Sequence, residues 1–193
     1  MTSATNATFS GKSTTQNPYK SLLTLRPSVK EGPLVKTMKL LQSIALGIPV
    51  VTDKWLLDSS KDGRLLALAD YIPSAPQQEK EWKCNLSAIW NTPQNTLFNG
   101  YTIHFTPALK AAYKDFAEIE KVCKAAGVKK VVSKKLTAKD AAAEQTIVLG
   151  AAEGDDVEVL GEKMCFGKDF LTNSILRGQV DISSNEFAIV RKA

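Results

Sequence analysis

The sequence predicts an α/β protein built from two small, related units, each a mostly parallel sheet flanked by helices. Three observations carry that expectation. Short apolar segments of strand length alternate with amphipathic segments of helix length. One helix signature recurs 115 residues further along the chain. The length of 193 residues suits two domains of roughly 90 to 100 residues each.

Taken in order, Thr5 to Ser10 reads as a short strand ending at Gly11, and a polar, turn-rich stretch follows through Pro18. Ser21 to Leu25 is apolar and short enough for a buried strand. Gly32-Pro33 marks a helix start, with Leu34, Val35, Met38, Leu41 and Ala45 behind it and Gly47 at its close. Ile48 to Thr52 reads as a strand, and Thr52 or Asp53 can cap a helix from Lys54 to Lys61 that ends near Gly63. Between the units, Pro73 to Thr96 contains Trp82, Leu86 and Trp90 at helical spacing, which predicts a linker helix covering apolar surface. The second unit opens with a strand at Tyr101 to Phe105 and an amphipathic helix from Ala108 to Ala126, stopped by Gly127. Strands are expected at Val128 to Ser133 and Gln145 to Leu149, then an acidic stretch from Glu153 to Glu158. Lys163 to Phe166 leads into a last helix, Asp169 to Arg177, closed by Gly178. The boundaries that follow are 1–75, 76–97 and 98–193.

The repeat is specific. Lys54-Trp55-Leu56-Leu57-Asp58-Ser59, followed by Gly63, lies on Asp169-Phe170-Leu171-Thr172-Asn173-Ser174, followed by Gly178. The unit starts, Thr8-Phe9-Ser10-Gly11 and His104-Phe105-Thr106-Pro107, are offset by only 96. The first unit is therefore shorter by about 19 residues, one helix plus a turn. The missing piece should be the equivalent of Ala108 to Ala126: either the first unit has lost that helix, or this sequence omits a segment that the native protein has.

Composition excludes several chemistries. His104 is the single histidine, so no multi-histidine metal site exists. Cys84, Cys123 and Cys165 lie about 40 residues apart; no CxxC pair can be drawn, and an odd, sparse count suits a reducing compartment. No apolar run reaches the roughly 18 residues that span a bilayer, and Met1 to Thr8 has neither the basic start nor the apolar core of an export signal. The net charge of +5 is uneven: Lys110 to Lys139 holds nine lysines and three acidic residues, whereas Asp140 to Glu162 holds seven acidic residues and no basic one. That predicts local fields rather than a uniformly basic surface.

An apolar strand followed by Asp53-Lys54-Trp55-Leu56-Leu57-Asp58-Ser59 resembles the tryptophan motif of BRCT domains, and two copies joined by a helical linker resemble a tandem BRCT pair. The chain is similar in this to the pair at the C-terminus of the mediator of DNA damage checkpoint and to related fungal genome-maintenance scaffolds. Lys36 to Leu41, Gly47 to Val51, Gln78-Glu79-Lys80 and Asn99 to Pro107 carry it further. The resemblance implies a BRCT-like three-layer fold in each unit and a non-enzymatic module, without cofactor or metal, that reads phosphoserine or phosphothreonine near a peptide C-terminus. A phosphorylated protein or histone tail would be the ligand, other DNA-repair proteins further partners, and the nucleus the setting.

It also implies site residues. A phosphate carries nearly two charges and strong acceptor oxygens, so it calls for a hydroxyl, a turn amide and a cation at a helix start. By the resemblance these are Ser10, Gly11 and Lys39. The residue three places after the phosphate, or a free carboxylate there, would meet Lys36 and Thr37 of the first unit with Ala111 and Asp169 of the second. Lysine at position 36 lacks the bidentate fork of arginine. Two other readings stand beside this one. The pair could serve as a phosphate-independent protein-docking or DNA-binding module, with weak DNA contact through Lys129, Lys130, Lys134 and Lys135; the same lysines also suit the solvated rim of an edge strand. Gly11-Lys12-Ser13-Thr14 looks like the end of a nucleotide-binding loop, but Asn6 stands where that pattern needs glycine. His104 alternates with apolar Ile103 and Phe105, which points to a structural role.

Overall fold

The computed structural model describes residues 34–90, 92–151, 160 and 163–189. The strands expected at Thr5–Ser10 and Ser21–Leu25 lie outside these residues, as does the acidic stretch Glu153–Glu158.

The second unit is organised on a four-stranded parallel sheet in the order β2-β1-β3-β4. Its strands are β1 (Thr102–Phe105), β2 (Lys130–Val132), β3 (Thr146–Leu149) and β4 (Cys165–Phe166). Ile103 pairs with Val131 on one side and Ile147 on the other, so β1 is central and buried. Every parallel pair needs a crossover. The first crossover is predicted as one helix over 108–126, and the structure splits it into α5 (Pro107–Ala112) and α6 (Phe116–Ala125). The cause is local: the Asp115 carboxylate accepts the Ala117 and Glu118 amides, at 3.1 and 3.4 Å, and starts a new helix there. Tyr113 adopts extended backbone, placing its ring edge-on to Phe105 at 6.2 Å. The short α7 (Ala138–Ala142) opens with a capping box between Thr137 and Asp140. The last helix, α8 (Asp169–Arg177), matches the expected span and ends at Gly178 with φ +64°.

In the first unit, α1 spans Met38–Leu46 and α2 spans Lys54–Asp62. α1 therefore starts five residues beyond Pro33. Thr37 decides this, because its hydroxyl accepts the Leu40 amide at 3.1 Å, a cap that proline cannot supply. Ile48 to Val51 runs without regular structure instead of forming the expected strand; the Thr52 amide donates to the Tyr71 carbonyl at 2.9 Å. The linker is two helices rather than one, α3 (Pro76–Trp82) and α4 (Leu86–Ile89). Lys83 breaks them apart with φ +52°, and the Glu79 carboxylate accepts the Leu86 amide at 2.7 Å. Trp82 and Leu86 still point inward.

One apolar core runs through both units. Leu41 and Ala45 of α1 join Ile119, Val122 and Cys123 of α6 and Phe170, Ile175 and Leu176 of α8. α1 packs against both α6 and α8, while α3 and α4 cover α8. Burying each Leu, Ile or Phe stabilises by about 1.5–3 kcal/mol. The C-terminal ends of α1, α6 and α8 converge on Pro93 to Thr96: Gly47 abuts Pro93, Gly127 abuts Asn95 and Gly178 abuts Gln94. Each of these glycines has positive φ.

Candidate functional site

The N-terminus of α1 lies at the seam between the units, and its sequence leaves it electropositive. Thr37 caps the first turn, which contains no acidic residue. Four amides at a helix start lack helical partners, and the aligned dipoles add partial positive charge there. Lys39 is the second residue of α1 and is exposed.

Lys36, immediately before the cap, reaches across the seam. Its Nζ donates to Asn173 Oδ1 at 3.0 Å and lies 5.0 Å from the centre of the Trp82 ring. Asn173 is 4% exposed, and its own Nδ2 donates to the Asp169 carbonyl at 2.8 Å, which fixes the amide. Burial against these groups lowers the Lys36 pKa from its ordinary value, and the nearby carboxylates of Asp169 and Glu81 oppose that shift. Tyr113 also feels Asp169: burial raises its phenol to about 12, with Cys123 and Asp169 adding to the effect.

The structure thus gathers Lys36, Thr37 and Asp169 around one seam, with Lys39 on the adjoining turn. Ala111 is exposed on α5, two residues before Tyr113. Ser10 and Gly11 lie outside the described residues. Sequence reasoning overlooked Asn173, although a signal existed: it is an amide among the buried residues Phe170, Leu171 and Ser174 on the apolar stripe of α8. Trp82, expected only to cover apolar surface, also carries the Lys36 ammonium.

The two aligned helices keep equivalent roles. Trp55 and Phe170 are buried, as are Ser59 and Ser174, and Gly63 and Gly178 close α2 and α8 in the left-handed conformation. His104 is buried with its Nε2 2.8 Å from the Lys134 carbonyl, in keeping with a structural place in the sheet.

No protein-family model matches the chain. It is 32% identical over 89 residues to the mediator of DNA damage checkpoint protein 1 of Rattus norvegicus, covering 46% of this chain and 7% of that protein. It is 33% identical over 78 residues to the DNA damage response protein Mdb1 of Schizosaccharomyces pombe, covering 40% of this chain and 12% of that protein. The chain thus spans a small fraction of these relatives' length. Among solved structures, the BRCT5-BRCT6 domains of S. pombe Brc1 superpose with a TM-score of 0.68 at 20% identity, over 79% of this chain and 78% of that one. Rtt107p, solved in complex with a phosphorylated histone, gives 0.58 at 18% identity, over 89% and 77%. The chain thus has the fold of a tandem BRCT pair, with its parallel sheet and repeated helix, and part of it is similar in sequence to a DNA-damage-checkpoint mediator and a DNA-damage-response protein.

Proposed function

We propose that this chain is a phosphopeptide-binding scaffold module of the DNA-damage response, divided as 1–75, 76–97 and 98–193, and that it reads a phosphoserine or phosphothreonine near a C-terminus. The observation that carries the reading is the N-terminus of α1: a capped helix start free of acidic residues, with exposed Lys39 on its first turn and Lys36 bridging to α8. Ser10 and Gly11 would complete the phosphate pocket. Lys36 and Thr37, with Asp169 and Ala111 opposite, would line the place of the third residue after the phosphate. An ammonium has three donors; Lys36 gives one to Asn173, and the others remain available to a carboxylate.

The phosphorylated histone bound in the Rtt107p complex supports a phosphorylated histone tail as the ligand class. The checkpoint and damage-response relatives support other repair proteins as partners and the nucleus as the setting. A labelled peptide ending in phospho-Ser-x-x-COO⁻ should bind, and its unphosphorylated twin should not. Charge-assisted hydrogen bonds contribute about 1.5–3 kcal/mol each, so Lys39→Ala should weaken binding at least tenfold. Amidating the peptide terminus should weaken wild type more than Lys36→Ala. Equal binding of the two peptides would show phosphate-independent docking instead.

A further inference from the structure

We propose that the lysine-rich edge of the second unit's sheet is a docking surface for the phosphate backbone of duplex DNA. Among the described residues β2 is an outer strand, hydrogen-bonded on one side to β1. Lys129 and Lys130 stand at its start and Lys134 just beyond its end, all exposed. Lys110, from the neighbouring α5, joins them through a 3.2 Å bond to Ser133 Oγ, and exposed Lys139 follows on α7. The edge therefore draws its cations from two helices as well as the strand.

The charge is concentrated rather than general. Residues 110–139 carry nine lysines against three acidic residues, a surplus of six within a chain whose total is +5. Of the segment's three carboxylates, Asp115 caps α6 and Glu118 pairs with Lys121 and Gln42, while Glu120 is exposed on α6. Asp140 is held in its capping box and reaches Lys134 only at 3.8 Å. The loop that presents Lys134 is anchored from beneath, because buried His104 binds the Lys134 carbonyl. This gives the single histidine a positioning role.

Two features favour a nucleic-acid backbone over an acidic protein. A protein partner draws its affinity from apolar and aromatic anchors, and the large exposed apolar side chains, Val35, Leu46, Leu56, Leu57, Leu65 and Ile182, all lie outside this segment. The segment's own aromatic rings, Tyr113 and Phe116, are turned against Phe105, which leaves no platform for stacking unpaired bases. Along β2, from Lys130 to Val132, the strand advances about 7 Å, a length over which duplex DNA presents roughly four phosphate charges. The segment contains no arginine, so contact would be independent of base sequence.

The test is fluorescence anisotropy of a labelled duplex of about 20 base pairs with the whole chain, between roughly 50 and 200 mM salt and with no peptide present. This reading therefore stands or falls apart from the phosphopeptide reading. Wild type should bind with steep salt dependence. Lys129→Glu/Lys130→Glu should weaken binding at least tenfold at the low-salt end and flatten the log–log slope by about 2, near 0.9 per lost phosphate contact. Lys54→Glu/Lys61→Glu, the same charge change on α2, should leave binding within about twofold. An unchanged thermal midpoint in both variants keeps misfolding out of the comparison. Absence of duplex binding, equal losses in the two variants, or displacement of the duplex by an equimolar glutamate-rich peptide would overturn the proposal, the last in favour of an acidic protein.

Discussion

A hydrogen bond to Asn173 and the face of Trp82 hold the Lys36 ammonium at the seam between the units. Asn173→Ala should leave a partly buried cation without its acceptor and cost about 1–3 kcal/mol in urea unfolding. Thr37→Ala removes the α1 cap and should cost about 1 kcal/mol, with Thr37→Ser retaining most of it. Two further side chains set a pH limit. Burial raises Cys123 to about 12 from an ordinary 9.0, and Tyr113 to about 12 from 10.0. The folded chain therefore keeps both protons where the unfolded chain releases them. Their contribution to stability is complete below about pH 9, declines as pH rises from 9, and is lost near 12. The thermal midpoint should fall across that window. Tyr113→Phe combined with Cys123→Ala should flatten the fall; an unchanged alkaline slope in that variant would assign it to other groups.

At the level of elements, helix ends are decided by short-range chemistry that sequence shows only in part. Gly47, Gly63 and Gly178 close their helices where the sequence places them, since a left-handed residue at that point strongly favours glycine. Asp115 and Lys83 are different: each stops or starts a helix inside a run that reads as continuous. Apolar periodicity passes unbroken through such positions, because it records burial and not backbone hydrogen bonding. The glycines also yield a comparison. Gly63→Ala meets open space and should cost about 1–2 kcal/mol from its positive φ alone. Gly127→Ala would in addition press a methyl group into the Asn95 carbonyl and should cost clearly more by chemical denaturation. Equal losses would show that the junction at Pro93 to Thr96 yields freely.

Across the whole molecule, α1 of the first unit shares one core with α6 and α8 of the second. Shared burial couples the units, so they should unfold in one transition, with tryptophan fluorescence and far-ultraviolet circular dichroism coinciding along a urea titration. Trp82→Ala, at the junction of linker and α8, should cost about 3–5 kcal/mol. It should displace both signals together; separated transitions would show independent domains.

The repeat, the α/β class, the α2 and α8 helices with their glycine ends, and the cation at the start of α1 are all legible in the chain's own pattern. These rest on local periodicity and cap chemistry, which a chain carries wherever it folds. That pattern does not show the true start of α1, the division of the long helix and of the linker, or the part played by Asn173. Lys36 and Asn173 are 137 residues apart, and no local pattern relates an amide on one helix to an ammonium ahead of another. Tertiary structure alone decided that pairing. It also decided that β2 lies at the edge of the described sheet, and it gathered three helix ends at one turn of the linker. Each of these follows from which surfaces bury one another, a property of the packed chain and not of any segment within it.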